Sequence, residues 1–526
     1  MTNLSDLFPA GAGKQVSFVA AGAISAAGKP VVLNSAGTVT PVSESTYSPS
    51  MPLGSITTID TDKMDGQIVR ADPNNDNRWL IAWRDDVQAD NYDIRVRVAT
   101  RSGTSWTLSP ISEVYGGSTS APTTNIGLCW DVVTANQFLI IFNNTSNDGS
   151  AKVGTISGSA GSESISYGTL LNAFTSTQMK VSLSVGEVSL NAIGTSGNYF
   201  ATWCDGSNDY PVGRVLTISG TTVSATGSDT VIRSYAMKNR VMKTFVNPWD
   251  TTKAVMGFIH GTDPTGDMMW VADIGLSGTT ISYVSETRVE AGEEYEEDMY
   301  LMPISQTKFL IGSWDKGDFY SYVYIGTLSS GTFSFNSRTA TQTSMTMRYS
   351  GSASNLTEKN STTDPNIFAI VGRKYSDEKV YGSIGTVNEA QTTISFSTIT
   401  ALDSSDISRG NQVALQNDSY KHFAIVNQID PASTALGKLN LGYAGGTAST
   451  LTSTNFIGIS DAAISDTASG NVTIKGGIAV NGLSSLTIGS DYYVTPAGAF
   501  STSAGTPSVK AGLAISATSL LLNGGS

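Results

Sequence analysis

The chain has 526 residues with 44 acidic and 31 basic side chains, a formal net charge of −13 and only 14% charged residues. So acidic and charge-poor a surface repels phosphate backbones and anionic lipid, which argues against nucleic-acid binding and against attachment to membranes. At 40% hydrophobic and 9% aromatic the chain still fills a large core, while two histidines and two cysteines exclude a disulfide framework and most His-dependent metal or triad chemistry.

The opening, Met1-Thr-Asn-Leu-Ser-Asp-Leu7, lacks the cationic and apolar regions of a secretory signal. No later run reaches the ~18 apolar residues of a membrane span. Residues 1–50 are rich in Gly, Ala, Ser and Thr, contain no Trp, and hold a short alternating strand at Lys29-Pro-Val-Val-Leu33. Gly11-Ala-Gly-Lys14 fails as a phosphate-binding loop, because Phe8 stands where the first Gly belongs and Gln15 where Ser or Thr should be.

From residue 52 onward the chain repeats. An apolar run after a turn recurs around Trp79, Phe138, Phe200, Val255, Phe309, Phe368 and Phe423, at spacings between 54 and 62 residues. Each run leads through a polar loop to a second, such as Val153-Gly-Thr-Ile156 or Tyr324-Ile-Gly-Thr-Leu328, and through a Gly/Ser turn to a third, such as Thr280-Ile-Ser282. Alternating β-branched or aromatic residues between turns of Gly, Asn and Asp read as antiparallel strands. No segment shows a capped helical stripe.

Near-equal units of four short strands predict an all-β fold with a seven-bladed β-propeller over 52–446, six or eight blades being the alternatives. The last unit lacks an outer strand. Gly54-Ser-Ile-Thr-Thr-Ile-Asp60, which reads like Ile394-Ser-Phe-Ser-Thr-Ile-Thr-Ala-Leu-Asp403, is expected to supply it and so cover an exposed edge. Residues 1–51 and 447–526 are then expected to form one small, discontinuous β domain into which the propeller is inserted; two separate terminal modules are the alternative.

These ends also carry a resemblance. Asn3-Leu-Ser-Asp-Leu-Phe-Pro-Ala-Gly-Ala-Gly-Lys-Gln-Val-Ser-Phe-Val-Ala20, Asn455-Phe-Ile-Gly-Ile-Ser-Asp-Ala-Ala463 and Leu486-Thr-Ile-Gly-Ser-Asp-Tyr-Tyr-Val494 resemble virion structural and tail-fibre-like proteins of marine bacteriophages. The resemblance implies a virion protein, assembled in the host cytoplasm and exposed on the particle. Its partners would be other virion proteins and a host surface polysaccharide or outer-membrane protein. A homo-oligomer, a trimer by analogy with fibres, follows from that role. A tail-fibre or receptor-binding protein without catalysis is the first expectation; a head fibre or decoration protein, or a propeller glycan hydrolase, are the others.

Sequence motifs for chemistry are sparse. The Ser-x-Asp-x-Gly-x-Thr-Trp boxes of sialidase-like propellers do not repeat here, and Ser146-Asn-Asp-Gly149 has neither the spacing nor the aromatic. No carboxylate pair is marked for glycoside cleavage, so no catalytic residue, cofactor or metal is assigned. Asp72-Pro-Asn-Asn-Asp-Asn77 departs from a calcium loop at its sixth position, Asn77, and its twelfth, Trp83, and reads as a turn. The sharpest charge feature is 290–298, whose Glu293, Glu294, Tyr295, Glu296, Glu297 and Asp298 are the candidate binding residues; a solvated loop is the plainer reading. His260 and His422 flank predicted strands and read as packed or surface residues.

Overall fold

A computed structural model describes residues 14–47, 50–85, 93–116, 126–144, 146–176, 178–180, 188–260, 268–290, 295–315, 321–340, 345–346, 367–374, 379–388, 390–402, 408–416, 422–429, 436–443, 446–505 and 507–522. Among them every regular element is a β-strand, and no helix is long and apolar enough to cross a membrane. The all-β expectation holds. The chain divides into two compact units, one of residues Met1–Ser48 and Gly445–Ser526, the other of Pro49–Ala444.

In the terminal unit the two chain ends pair with each other. Gln15–Val19 runs antiparallel to Ser469–Ile474, Pro30–Leu33 to Phe456–Ser460, and Glu44–Tyr47 to Gly446–Ser449. A second sheet comes from the C-terminal segment alone, with Val509–Ser516 between Asp491–Val494 and Ser519–Leu522. Its core gathers Val32, Ile459, Tyr492, Val494 and Leu520, again from both ends.

The central unit is a succession of antiparallel groups. Arg78–Asp85, Ile94–Ser102 and Ser105–Leu108 follow the end of the long strand Ser50–Ala71. Ile126–Trp130, Gln137–Asn143, Gly149–Ser157 and Ser164–Tyr167 form the next group. Ser189–Ile193, Asn198–Asp205, Pro211–Ser219 and Thr222–Val231 form the third, with Met179–Lys180 also on its second strand. Met237–Val246, Lys253–His260, Met268–Ser277 and Thr280–Arg288 form the fourth. Tyr295–Pro303, Lys308–Asp315, Ser321–Ser329 and Thr332–Phe335 follow, then Met345–Thr346, Ile367–Lys374, Val380–Val387 and Ile394–Phe396. Ser408–Leu415, His422–Ile429 and Leu436–Tyr443 complete the order.

The outer partner of Leu436–Tyr443 is the first part of Ser50–Ala71. Gly437 pairs with Asp60 and Leu439 with Thr57, so one 22-residue strand serves two groups in turn. Trp79 Nε1 donates to Ala414 O at 3.0 Å, and Gln416 Nε2 to Asn75 O and Arg78 O at 2.9 and 2.8 Å, joining the last group to the first.

The repeated apolar residues of the sequence all fall on second strands and are all buried. Opposite four of them lies a glycine on the third strand: Phe138 faces Gly154, Phe309 faces Gly326, Phe368 faces Gly385 and Phe423 faces Gly442. A Cβ on Gly154, Gly326 or Gly385 would stand inside the facing ring. The fourth strand adds a second ring across the same glycine, edge to face, with Phe138–Tyr167, Phe309–Phe335 and Phe368–Phe396 centroids 6.5, 6.3 and 5.8 Å apart. The glycine is thus the floor on which two aromatic rings meet. Gly326→Ala is expected to lower the stability of the central unit by about 1–3 kcal/mol, because the packed Phe309 ring must shift. A urea midpoint equal to that of the parent would refute this.

Candidate functional site

Antiparallel order places the start of each group's first strand, the end of its second and the start of its third at one common end. Here the second strands close with polar side chains that are nonetheless buried: Asp85, Asn143, Asp205, His260 and Asp315. A buried carboxylate must be paired or hydrogen-bonded. Asp85 meets Arg95 Nη2 at 2.7 Å, Asp205 Oδ1 accepts from the Ser207 amide at 2.9 Å, and Asp315 meets Arg338 Nη1 at 3.4 Å.

Cations recur at this same end. Arg95 Nη1 also lies 3.2 Å from Asp60 and 3.1 Å from Asp62. Burial works against its charge, yet Asp62, Asp85 and Asp60 outweigh that and raise its pKa. Arg214 pairs with Asp229 at 3.0 Å. Lys152 sits 5.5 Å from the Tyr167 ring, its pKa lowered by burial against the pull of Glu113. The same burial pushes the Tyr167 phenol up to about 12. Arg338 lies 4.2 Å over Tyr322.

The densest assembly belongs to the fourth group. Arg233, from the irregular segment between Thr222–Val231 and Met237–Val246, lies 4.3 Å from the Tyr235 ring, 5.5 Å from Phe258 and 5.4 Å from Trp270. It forms an ion pair with Glu286, near the end of Thr280–Arg288. Burial raises the Glu286 pKa, while Arg233 and the hydrogen bond with Tyr283 hold it down. The His260 ring stands 5.5 Å from both Tyr235 and Trp270. Phe258 and His260 are buried and Arg233, Trp270 and Glu286 half-buried, whereas Tyr235 is 53% and Tyr283 44% exposed. Chemically this is a fixed aromatic surface bordered by a neutralised charge pair.

Of the residues singled out in the sequence, Glu293 and Glu294 lie outside the described residues. Tyr295, Glu296, Glu297 and Asp298 open the strand Tyr295–Pro303, with Tyr295 opposite Asp315 and Glu296 opposite Trp314. The register then slips before Met299, so Glu297 and Asp298 occupy an irregularity of the strand. The backbone therefore puts this stretch at the same end as the Arg233 assembly. Glu290, just before it, accepts from the Tyr324 hydroxyl. Among the described residues no group of three or more His, Cys, Asp or Glu side chains is arranged to hold a metal ion. The 72–77 stretch is a turn: Asp72 accepts from the Asn74 amide at 2.8 Å and from Arg78 Nε at 2.6 Å. Cys129 and Cys204 are not joined by a disulfide.

The opposite end of the central unit has a cleft of about 110 Å³ among Arg70, Trp130, Asn191, Phe245 and Asn247. Its polar groups are engaged on neighbouring main chain: Asn191 Nδ2 on Thr244 O at 2.9 Å, Asn247 Nδ2 on Gln306 O at 2.7 Å, and Arg70 Nε on Leu128 O at 3.1 Å. These bonds stitch successive first strands together, a structural duty.

No protein-family model and no curated protein matches the chain. Solved structures do. The BP39L lectin from Burkholderia pseudomallei is similar over 73% of this chain and 97% of its own, at 9% identity and a TM-score of 0.51. Polysaccharide lyase Uly1 is similar over 75% and 100%, at 8% identity and a TM-score of 0.43. A mutant of NanB sialidase from Streptococcus pneumoniae is similar over 75% and 70%, at 10% identity and a TM-score of 0.41. The chain is thus an all-β, propeller-like protein.

These similarities correct one expectation, that of a protein without catalysis: a polysaccharide lyase and a sialidase stand beside a lectin among the similar structures. The sequence itself carries neither repeated sialidase-like boxes nor a marked carboxylate pair.

Proposed function

We propose that this protein is a bacteriophage virion structural protein, a tail fibre or receptor-binding protein whose central unit contacts the host surface. In this reading the central unit is a seven-bladed propeller, its first and last blades sharing Ser50–Ala71, inserted into a terminal domain that attaches to other virion proteins. The observation that carries the reading is the pairing of the chain ends. The segments that resemble phage virion proteins come together as one compact unit, separate from the residues between them. A host surface polysaccharide or outer-membrane protein is the proposed partner. Copies joined as a symmetric oligomer, a trimer, would turn weak single contacts into firm attachment, because each later contact is intramolecular.

Gold-labelled antibody raised against the full chain, imaged on purified particles, tests this. Label at the tail is the expected result. Label on the capsid would shift the assignment to a head fibre or decoration protein, and particles that stay bare while the antigen is shown to be accessible would remove the virion assignment.

A further inference from the structure

We propose that the exposed face of Tyr235, with Tyr283 and the Arg233–Glu286 pair beside it, binds a neutral pyranose ring; this rests on the reading that the central unit contacts a surface polysaccharide. A pyranose offers an apolar C–H face and a rim of hydroxyls. Its recognition therefore needs a flat aromatic surface next to hydrogen-bonding groups, not a deep apolar pocket.

Tyr235 meets the first need. It is 53% exposed, yet Arg233 lies 4.3 Å from its ring and His260 stands 5.5 Å away. A ring already held by its neighbours loses little freedom when a ligand stacks on it, so the contact energy is not spent on ordering. Tyr283 and Glu286 meet the second need: the phenol is exposed, and it shares a hydrogen bond with the carboxylate. Arg233 Nη1 is buried with no hydrogen-bond partner. An unmet donor of this kind costs stability, and its retention within the assembly marks a place where stability alone does not set the arrangement.

The charge around the site selects the ligand class. Glu286 cancels Arg233, and the acidic stretch 290–298 begins just beyond the strand that carries Glu286. On a chain of net charge −13 a uronate or other acidic sugar meets repulsion, whereas a neutral sugar does not.

The test is retention of the full chain on immobilised dextran, mannan and galactan, with polygalacturonate as the acidic comparison. The parent chain is expected to bind at least one neutral polymer. Tyr235→Ala is expected to weaken that binding about tenfold, the worth of one good aromatic contact, and Tyr235→Phe to keep it. Tyr283→Ala should weaken it as well, and circular dichroism must report an unchanged fold for each. Parent-like binding by both alanine variants overturns the site and leaves the glycan contact standing. Retention on polygalacturonate alone overturns the neutral class, and no retention on any polymer or on host envelope polysaccharide overturns site and contact together.

Discussion

Replacing Arg95 with Met is expected to lower the stability of the central unit by about 3–5 kcal/mol at neutral pH, the usual result of stripping the cation from buried carboxylates. Met preserves most of the aliphatic stem, so the loss isolates the guanidinium. Asp85 is fully buried and Asp60 nearly so, and both depend on Arg95 at 2.7 and 3.2 Å. The position is also mechanical. Asp60 belongs to the part of Ser50–Ala71 that pairs with Leu436–Tyr443, while Arg95 and Asp85 belong to the group built on the other part. Arg95 therefore ties the two uses of that strand together. Its raised pKa means that its own stabilising contribution is complete below the usual arginine range and is lost only above it, so Arg95 adds no slope between pH 4 and 9. Arg95→Lys, which keeps a cation near the carboxylates, should lose less than Arg95→Met. All eight Trp residues lie between 79 and 314, so tryptophan fluorescence during urea unfolding follows the central unit alone. A lysine variant as unstable as the methionine variant would assign the effect to packing and refute the electrostatic account.

Much of the architecture was legible because its physical cause is local. A second strand buried on both faces forces an apolar run in each group, and a run recurring every 54–62 residues is visible without any structure. The pairing of 54–60 with the last group was legible for the same reason, since strands doing the same job carry similar text. What did not show was that the strand continues to Ala71 and changes partners near Asp60-Thr-Asp-Lys63, where polar residues break the alternation. The Arg233 assembly left no linear signal at all. Arg233 and Tyr235 come from one connecting segment, Phe258 and His260 from a second strand, Trp270 from a third and Glu286 from a fourth, and only strand pairing brings them together. The acidic stretch 290–298 was the more conspicuous text, yet conspicuous charge is what a solvated end of a sheet shows whether or not it binds anything.

The fourth group lacks the ring-on-glycine pairing, as do the first, with Trp79 opposite Ala99, and the third, with Phe200 opposite Val215. Building it in the fourth should raise stability above that of the parent. Where the second, fifth, sixth and last groups place Phe opposite Gly, the fourth places Val255 opposite Asp273, with Ser285 where the second ring would stand. Phe245 on the first strand fills part of the space. Asp273 is fully buried, neither carboxylate oxygen has a hydrogen-bond partner, and the nearest cation, Lys253 Nζ, is 3.8 Å away. Burial raises its pKa, Lys253 opposes this and Asp250 adds to it. A raised acid favours the folded state while protonated, so its contribution is whole below the ordinary aspartate range and falls as pH rises through the raised value. Val255→Phe alone should cost about 1–3 kcal/mol, because the new ring meets the carboxylate. Asp273→Gly alone removes the buried charge but leaves a gap beneath Val255 and adds backbone freedom, so the two effects should offset to within about 1 kcal/mol. Together the substitutions rebuild the missing floor, and the double variant should exceed the parent by about 1–3 kcal/mol at pH 7, a clear departure from additivity between neighbours. The gain should be smaller at pH 4 than at pH 7, because a raised pKa keeps more of the parent's Asp273 protonated at the lower pH. Additive effects of the two changes, or a gain independent of pH, would show that the ring-on-glycine pairing and the buried carboxylate are not coupled as the geometry requires.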